Sequence, residues 1–466
     1  MRRGGRGSLP AMTTPLPRLL DERRDAHLEQ LFEFLRIPSV STDPAHAGDV
    51  RRAATFLRDD LAAHGFEARL LETDGHPAVL AKRTVDADAP TVLIYGHYDV
   101  QPPEPLEGWD TDPFEPTVRD GAVYARGASD DKGQVFAHVK GVQALFDAEP
   151  DTPVNVTFLI EGEEEVGSLH LADALEAHRD ELAADVVVVS DGAMLAGPTP
   201  TLTYGLKGMA YLEVRVRSAA RDLHSGAYGG GVPNAAMALA TLLAGLKDAD
   251  GRITVPGFYD DVREISDTER VRFAEVPFDA DAFADGIGVK ATPGEPGRDL
   301  LERLWARPTL DVNGIGGGFQ GDGSKTVIPA EAMAKVSSRL VPDQDPERIA
   351  DLMEAHLRAL APDDVEVDVI RHATAPWALA DLEGDAVGAA AEAIRRVDGR
   401  DPVFVRTGGT IPVVAAFQSL LGADVVLLDM GLEDDRVHAP NEKFEVDLFH
   451  RGVHVSAELL RALARG

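Results

Sequence analysis

Four consecutive β-branched residues, Val186-Val187-Val188-Val189, constrain this chain more than any other segment. Successive side chains of a strand point to opposite faces, so such a run is buried on both sides, as in the centre of a parallel sheet covered by helices. Shorter apolar runs at Ala78 to Ala81, Thr91 to Tyr95 and Val154 to Ile160 read the same way. Helical segments separate them. Leu19, Leu20, Leu28, Leu31, Phe32 and Leu35 recur largely at three- and four-residue spacing and predict an amphipathic helix that Pro38 closes. Val50 to His64 predicts another, with Gly65 at its C-cap, and further helices follow Lys132 and Ser168. The expected class is therefore α/β, a mixed and largely parallel sheet with helices on both faces. With 466 residues, 44% hydrophobic and 27% charged, the chain can bury a large core; disordered and fibrous classes are excluded and two domains are expected.

The pattern changes near Met209. Tyr211 to Val216 and Val365 to Val369 alternate apolar and charged residues, as half-exposed antiparallel strands do. Between them lie a helix after Pro233, a long polar connection from Gly251 to Pro296 and a strand at Ala334 to Leu340. After Pro376 the strand and helix alternation resumes with Val403 to Val405, Asp424 to Leu428 and a C-terminal helix to Leu463. The expected division is 18–208 and 377–466 as two parts of one α/β domain, with 209–376 as an inserted α+β unit. Residues 1–17 read as a disordered leader: Arg2, Arg3 and Arg6 are followed by no apolar h-region before Pro15 and Pro17, and Met12 is a possible alternative start.

Forty-six Lys and Arg against 79 Asp and Glu give a formal charge of −33, which repels a phosphate backbone and argues against nucleic acid as partner. No stretch reaches the roughly 18 apolar residues that span a bilayer, so a soluble, cytoplasmic protein without a membrane partner is expected. Cysteine is absent, which removes disulfides, thiolate ligands and a cysteine nucleophile together. Any metal must sit on His, Asp or Glu.

Candidate ligands of that kind cluster at the ends of predicted strands, where open α/β sheets place their ligands. His97 and Asp99 lie two residues apart after one strand and point the same way in an extended segment. A ligating histidine commonly passes its second ring N–H to such a carboxylate. Asp130 and Asp131 precede a helix, where capping accounts for one acid and not two. Glu163-Glu164-Glu165 follows a strand, and adjacent carboxylates repel unless a cation or a proton holds them. Asp191 closes the Val186–Val189 run, and His438 stands near the C-terminus. Taken singly, these segments also read as surface loops and turns. Together His97, Asp130, Glu165, Asp191 and His438 form a sulfur-free set suited to two divalent ions such as Zn²⁺ or Mn²⁺ if one carboxylate bridges, with Glu164 free to act as a base. A serine triad is disfavoured because neither Ser190 nor Ser225 sits in a G-x-S-x-G elbow, and Gly314 to Gly318 departs from the dinucleotide pattern and reads as a turn.

The strings GHYDVQP, RGASDDKG, EGEEEVGS, SDG and VHAPNEK occur in this order from residue 96 to residue 443. In order and spacing they resemble the co-catalytic metallopeptidase family of carnosinases, aminoacylases, succinyl-diaminopimelate desuccinylase and glutamate carboxypeptidases, from roughly Leu28 to the C-terminus. The segments from Asp222 to Gly230, Gly323 to Pro329 and Ser338 to Pro342 are similar to the branch of cytosolic nonspecific dipeptidase. The resemblance implies that His97 and Asp191 hold one ion, Glu165 and His438 the other, and Asp130 bridges them. Asp99 would orient His97, and Glu164 would be general base toward the attacking water and then proton donor to the leaving amine. It further implies that the inserted unit is a lid and dimer platform, that His224 reaches the partner subunit's site as oxyanion donor, and that Arg339 binds the substrate carboxylate. Thr326, His372, Gly409 and Thr410 match substrate-binding positions, Thr410 standing where a relative has serine. A non-proline cis peptide between Asp130 and Asp131 is implied as well. The expected protein is a homodimeric two-metal dipeptidase acting on short peptides with a free C-terminal carboxylate. The rival readings are an N-acyl-amino-acid deacylase with the same metal centre and a catalytically silent dimeric binding protein.

Overall fold

The computed structural model describes residues 14–195 and 199–465. Met12 and the greater part of the expected leader lie outside the described residues. The end of that expected leader is helical instead: a helix spans Leu16–Glu22, with Leu16 buried. Pro17 sits in its first turn, where a missing N–H costs nothing, so the prolines start this helix rather than precede it. A second helix, Arg24–Leu35, follows after a break at Arg23, so the single helix expected here is two.

Two compact units emerge from the contacts. One comprises the chain up to Thr203 together with Ala380–Val403 and Ala416–Gly466; the other comprises Tyr204–Leu379 and Phe404–Ala415. The segment Phe404–Ala415, grouped by its sequence pattern with the C-terminal α/β part, clusters with the inserted residues.

In the first unit the sheet centres on four parallel strands in the order Asn155–Glu161, Thr91–His97, Val186–Val189 and Asp424–Leu427. Ala78–Arg83 and Glu67–Leu71 add antiparallel strands at one edge, and Leu427 meets Thr203 of an antiparallel strand on the other side. Every residue of Asn155–Glu161 and Val186–Val189 is buried, so helices cover both faces as the apolar runs require. Lys132–Ala148 packs on Thr91–His97, and Asp385–Asp398 on Asp424–Leu427. Because the three strands carrying His97, Glu161 and Val189 run side by side in one direction, their C-terminal ends deliver His97, Glu163 to Glu165 and Asp191 to one edge of the sheet.

In the second unit a four-stranded antiparallel sheet has the order Thr309–Gly317, Glu331–Leu340, Gly208–Arg217 and Glu366–Ala375. Ala210, Leu212, Val214 and Val216 form its buried face, against the helices Ala235–Ala244 and Pro346–Leu360. The glycines read as a turn at Gly314 to Gly318 belong instead to the edge strand as far as Gly317. A side chain at Gly317 would stand 2.8 Å from the Ala332 Cβ, so close approach to the next strand requires glycine there. The polar connection from Gly251 to Pro296 holds two helices, Asp267–Glu275 and Ala280–Gly286. A Ser266–Glu269 capping box starts the first and Asp279 caps the second. Nearby Arg307, almost wholly buried, pairs with Glu295 at 2.7 Å and Glu264 at 3.1 Å. Charge pairing and caps replace an apolar stripe here, which is why no periodicity marked these helices. Among the described residues no helix is long and apolar enough to cross a membrane.

Candidate metal centre

His97 ends its strand fully buried. Its Nδ1 lies 3.1 Å from the Asp99 carbonyl oxygen and 3.4 Å from Asp99 Oδ1. That orientation turns Nε2 toward Asp130 Oδ1 at 3.0 Å and Asp191 Oδ2 at 4.0 Å, with no aligned hydrogen bond to either. Asp99 has a second task. Its Oδ1 accepts the Glu164 N–H at 3.3 Å and its Oδ2 accepts the Glu165 N–H at 3.1 Å, so one buried carboxylate fixes both a histidine and the following acidic turn.

Asp130 stands just before the helix Lys132–Ala148, and the Asp130–Asp131 peptide is cis, as the family resemblance implies. Asp131 is the N-cap residue yet makes no side-chain capping bond; its Oδ2 accepts the His97 N–H at 3.1 Å. Helix capping therefore explains neither acid. Asp130 divides its oxygens: Oδ1 faces His97, and Oδ2 meets His438 Nε2 at 2.8 Å. The same His438 nitrogen lies 3.3 Å from Glu165 Oε2. Two donor groups result, His97–Asp130–Asp191 and Asp130–Glu165–His438, each with its ligand atoms within 4.8 Å of one another.

Electrostatics mark these groups as short of positive charge. Among the described residues the ion-pair partners of Asp130, Asp191 and Glu165 are His97 and His438. Burial, and then Asp130, push Asp191 up to about 8. Glu164 is raised by burial and by neighbouring Glu165 and Asp130, with His97 opposing. Asp130 and Glu165 push His438 up to about 10. Burial would also raise Asp130, but His438 and His97 outweigh it and hold this carboxyl below its usual range. Several acids crowded round two imidazoles, with one buried imidazole nitrogen aimed between carboxylates, fit a pair of divalent cations in a hard N/O environment.

The three adjacent glutamates separate. Glu163 turns away to His170, whose Nδ1 lies 2.9 Å from its Oε2, while Glu165 joins the second donor group and Glu164 belongs to neither. Gln101 had no assigned role in the GHYDVQP string, yet its amide donates to Glu165 Oε2 at 2.7 Å. The string contained the residue but not its partner. Ser190 is buried, donating to the Leu428 carbonyl at 2.6 Å beside His138, which leaves it unsuited to attack a substrate.

The remaining candidates lie in the second unit. Arg339 Nη1 donates to Thr410 Oγ1 at 2.5 Å, that hydroxyl donates to the Lys207 carbonyl at 2.7 Å, and Gly409 O accepts the Lys207 N–H at 3.0 Å. Arg339, Gly409 and Thr410 thus form one cluster around Lys207, a buried amine lowered to about 7 by burial and by Arg339. His224 pairs with Val327 next to Thr326, whose carbonyl accepts the Ser225 N–H at 3.0 Å. His372 is held apart on Glu213, at 3.0 Å.

A model of Peptidase family M20/M25/M40 matches residues 93–462. A Cys-Gly metallodipeptidase of Saccharomyces cerevisiae is 32% identical over 95% of this chain and 96% of its own. Human Beta-Ala-His dipeptidase is 32% identical over 98% of this chain and 94% of its own. The metallo-carboxypeptidase Sso-CP2 from Sulfolobus solfataricus has a TM-score of 0.84 at 34% identity, covering 94% of this chain and 99% of that one. Matches of that extent, on a fold that gathers two carboxylate–histidine groups at its sheet edge, make the chain a peptide-bond hydrolase that belongs to peptidase family M20/M25/M40.

Proposed function

We propose that the enzyme is a two-metal dipeptidase for short peptides with a free C-terminal carboxylate, a homodimer acting in the cytoplasm. The observation that carries this reading is Asp130, which offers one oxygen to each of two donor groups. His97, Asp130 and Asp191 would hold one divalent ion, Asp130, Glu165 and His438 the other, with zinc or manganese suited to such donors. When bound, the pair supplies Lewis acidity and an activated water. Glu164 takes a proton on its carboxylate from the attacking water and passes it to the leaving amine nitrogen. Asp99 keeps His97 and the Glu164–Glu165 turn in place.

In the second unit Arg339 and the Gly409–Thr410 turn would receive the substrate carboxylate, with Thr326 and His372 as further contacts. The Thr410 hydroxyl already accepts from the guanidinium, which supports a preformed anion-binding fork. His224 Nδ1 accepts the Gly226 N–H at 3.0 Å, so the neutral ring carries its proton on Nε2 and is set up as a donor to a developing oxyanion. The outer edge of Thr309–Gly317 pairs with no strand among the described residues and exposes Val312 and Ile315, which supports pairing with a second copy and a role for this unit as dimer platform.

Substrate profiling tests the reading. Dipeptides of the Ala-Leu type are expected to be cleaved at least tenfold more efficiently than N-acetylated amino acids; the reverse order would make the enzyme a deacylase. In the same assay Arg339→Met is expected to raise KM with kcat little changed, losing about 1.5–3 kcal/mol of binding, roughly 10- to 150-fold. An unchanged KM would remove Arg339 from the carboxylate site.

A further inference from the structure

We infer that Glu442, seconded by Asp435, is a positioning clamp that locks the His438 loop onto the Asp130 loop and thereby sets the second donor group, an inference that rests on the two-metal reading above. Glu442 is fully buried four residues beyond His438, and no role in the reaction requires it there. Its Oε1 accepts the backbone N–H groups of Ser129 at 2.9 Å and Asp130 at 3.1 Å. Its Oε2 accepts the Gly127 N–H at 3.0 Å and a guanidinium N–H of buried Arg126 at 2.7 Å. A single carboxylate therefore ties down three amides of the turn that presents the shared ligand. Asp435 repeats the device from the other side of His438: its Oδ2 accepts the Ser129 hydroxyl at 2.8 Å and the Leu432 N–H at 2.8 Å.

The segment between the two clamping acids does not hold its shape by local preference. Arg436, His438 and Asn441 all take left-handed backbone conformations, with φ of 60°, 62° and 61°, which non-glycine residues adopt at a cost. Such a conformation persists where its surroundings enforce it; here Asn441 accepts the Asp110 N–H at 3.0 Å and donates to the Gly108 carbonyl at 3.1 Å, while the two carboxylates bond the segment to the Asp130 turn. His438 itself is half exposed and lacks a packed shell to hold its ring. The distance between His438 Nε2 and Asp130 Oδ2 is therefore set through the backbone, by Glu442 and Asp435, rather than by packing round the imidazole. His97, by contrast, ends a strand whose parallel neighbour, Val186–Val189, leads directly to Asp191, so the sheet itself brings these two ligands together.

Titration of metal-free, folded protein with Zn²⁺, followed by calorimetry, tests the clamp without reference to activity. Wild type is expected to bind two ions per chain. Glu442→Gln keeps the size of the side chain but turns an N–H₂ toward backbone donors; it is expected to retain one tight ion and to weaken the other by 10- to 100-fold, the usual effect of removing a partner behind a ligand. Its profile should approach that of His438→Ala and not that of Asp191→Ala. Because the glutamine leaves the Arg126 charge buried without its partner, the double variant Arg126→Met/Glu442→Gln is measured beside it, with circular dichroism as the check on folding. Ser129→Ala, which removes only the hydroxyl on Asp435, is expected to weaken the same ion by a smaller factor. Wild type binding two ions while both Glu442 variants bind both with unchanged affinity, or lose both equally, overturns the clamp alone. Wild type binding fewer than two ions overturns the two-metal reading and the clamp with it.

Discussion

Glu164→Gln is expected to lower kcat by roughly two to four orders of magnitude while metal content stays at the wild-type level. The expectation comes from where the three glutamates go. Glu163 is engaged by His170 and Glu165 by His438 and Gln101, which leaves Glu164 beside the donor groups and outside both. Burial and the neighbouring carboxylates raise its pKa, with His97 opposing, which brings a carboxyl group nearer to the proton affinity a base needs at neutral pH. Glutamine preserves the shape and removes that basicity. Glu165→Gln is the contrasting variant: it strikes a ligand, so metal and activity should fall together. Parallel loss of metal in Glu164→Gln would show that the two roles are exchanged.

His224→Ala is expected to cost roughly 100- to 1,000-fold in kcat, the usual loss for one oxyanion donor, with both ions retained. The ring is exposed and its Nδ1 is occupied by the Gly226 amide, so Nε2 is the group with work left to do. If that work is done in the partner subunit's site, co-expression of a His224→Ala chain with a Glu164→Gln chain should give heterodimers with one intact site of two, because both defects fall in the same composite site. Heterodimers as inactive as either parent would place His224 in the site of its own chain.

Much of this arrangement is legible in the sequence. Val186–Val189, Thr91–Tyr95 and Val154–Ile160 read as buried parallel strands because their apolar runs suit burial on both faces, and His97, Asp191 and Glu165 stood out among the polar residues that follow them. His438 has no such local signal. It lies in a loop whose approach to Asp130 depends on contacts more than 300 residues apart in sequence, such as Glu442 to Ser129. It entered the set only as a second histidine to complement the carboxylates, and the family resemblance alone paired it with Glu165 on one ion. The clamping acids were visible as letters within VHAPNEK and near it, but a buried carboxylate and a solvated one look alike in a sequence. Elsewhere the reading missed elements whose stabilising interactions are not periodic. The helices Asp267–Glu275 and Ala280–Gly286 both start on caps, the first with arginine–glutamate pairs at Arg270 and Arg272 as well, and the glycines of Thr309–Gly317 hid an edge strand behind the composition of a turn.

If Asp130 is shared by two divalent ions, metal content per folded chain reports it. Wild-type protein loaded with Zn²⁺ or Mn²⁺ and freed of excess should carry two ions by elemental analysis. Asp130→Asn keeps the size of the side chain but has a single carbonyl oxygen, which cannot serve the His97 and His438 sides together. At most one ion per chain is expected in that variant; two ions bound at wild-type affinity would show that Asp130 is not shared.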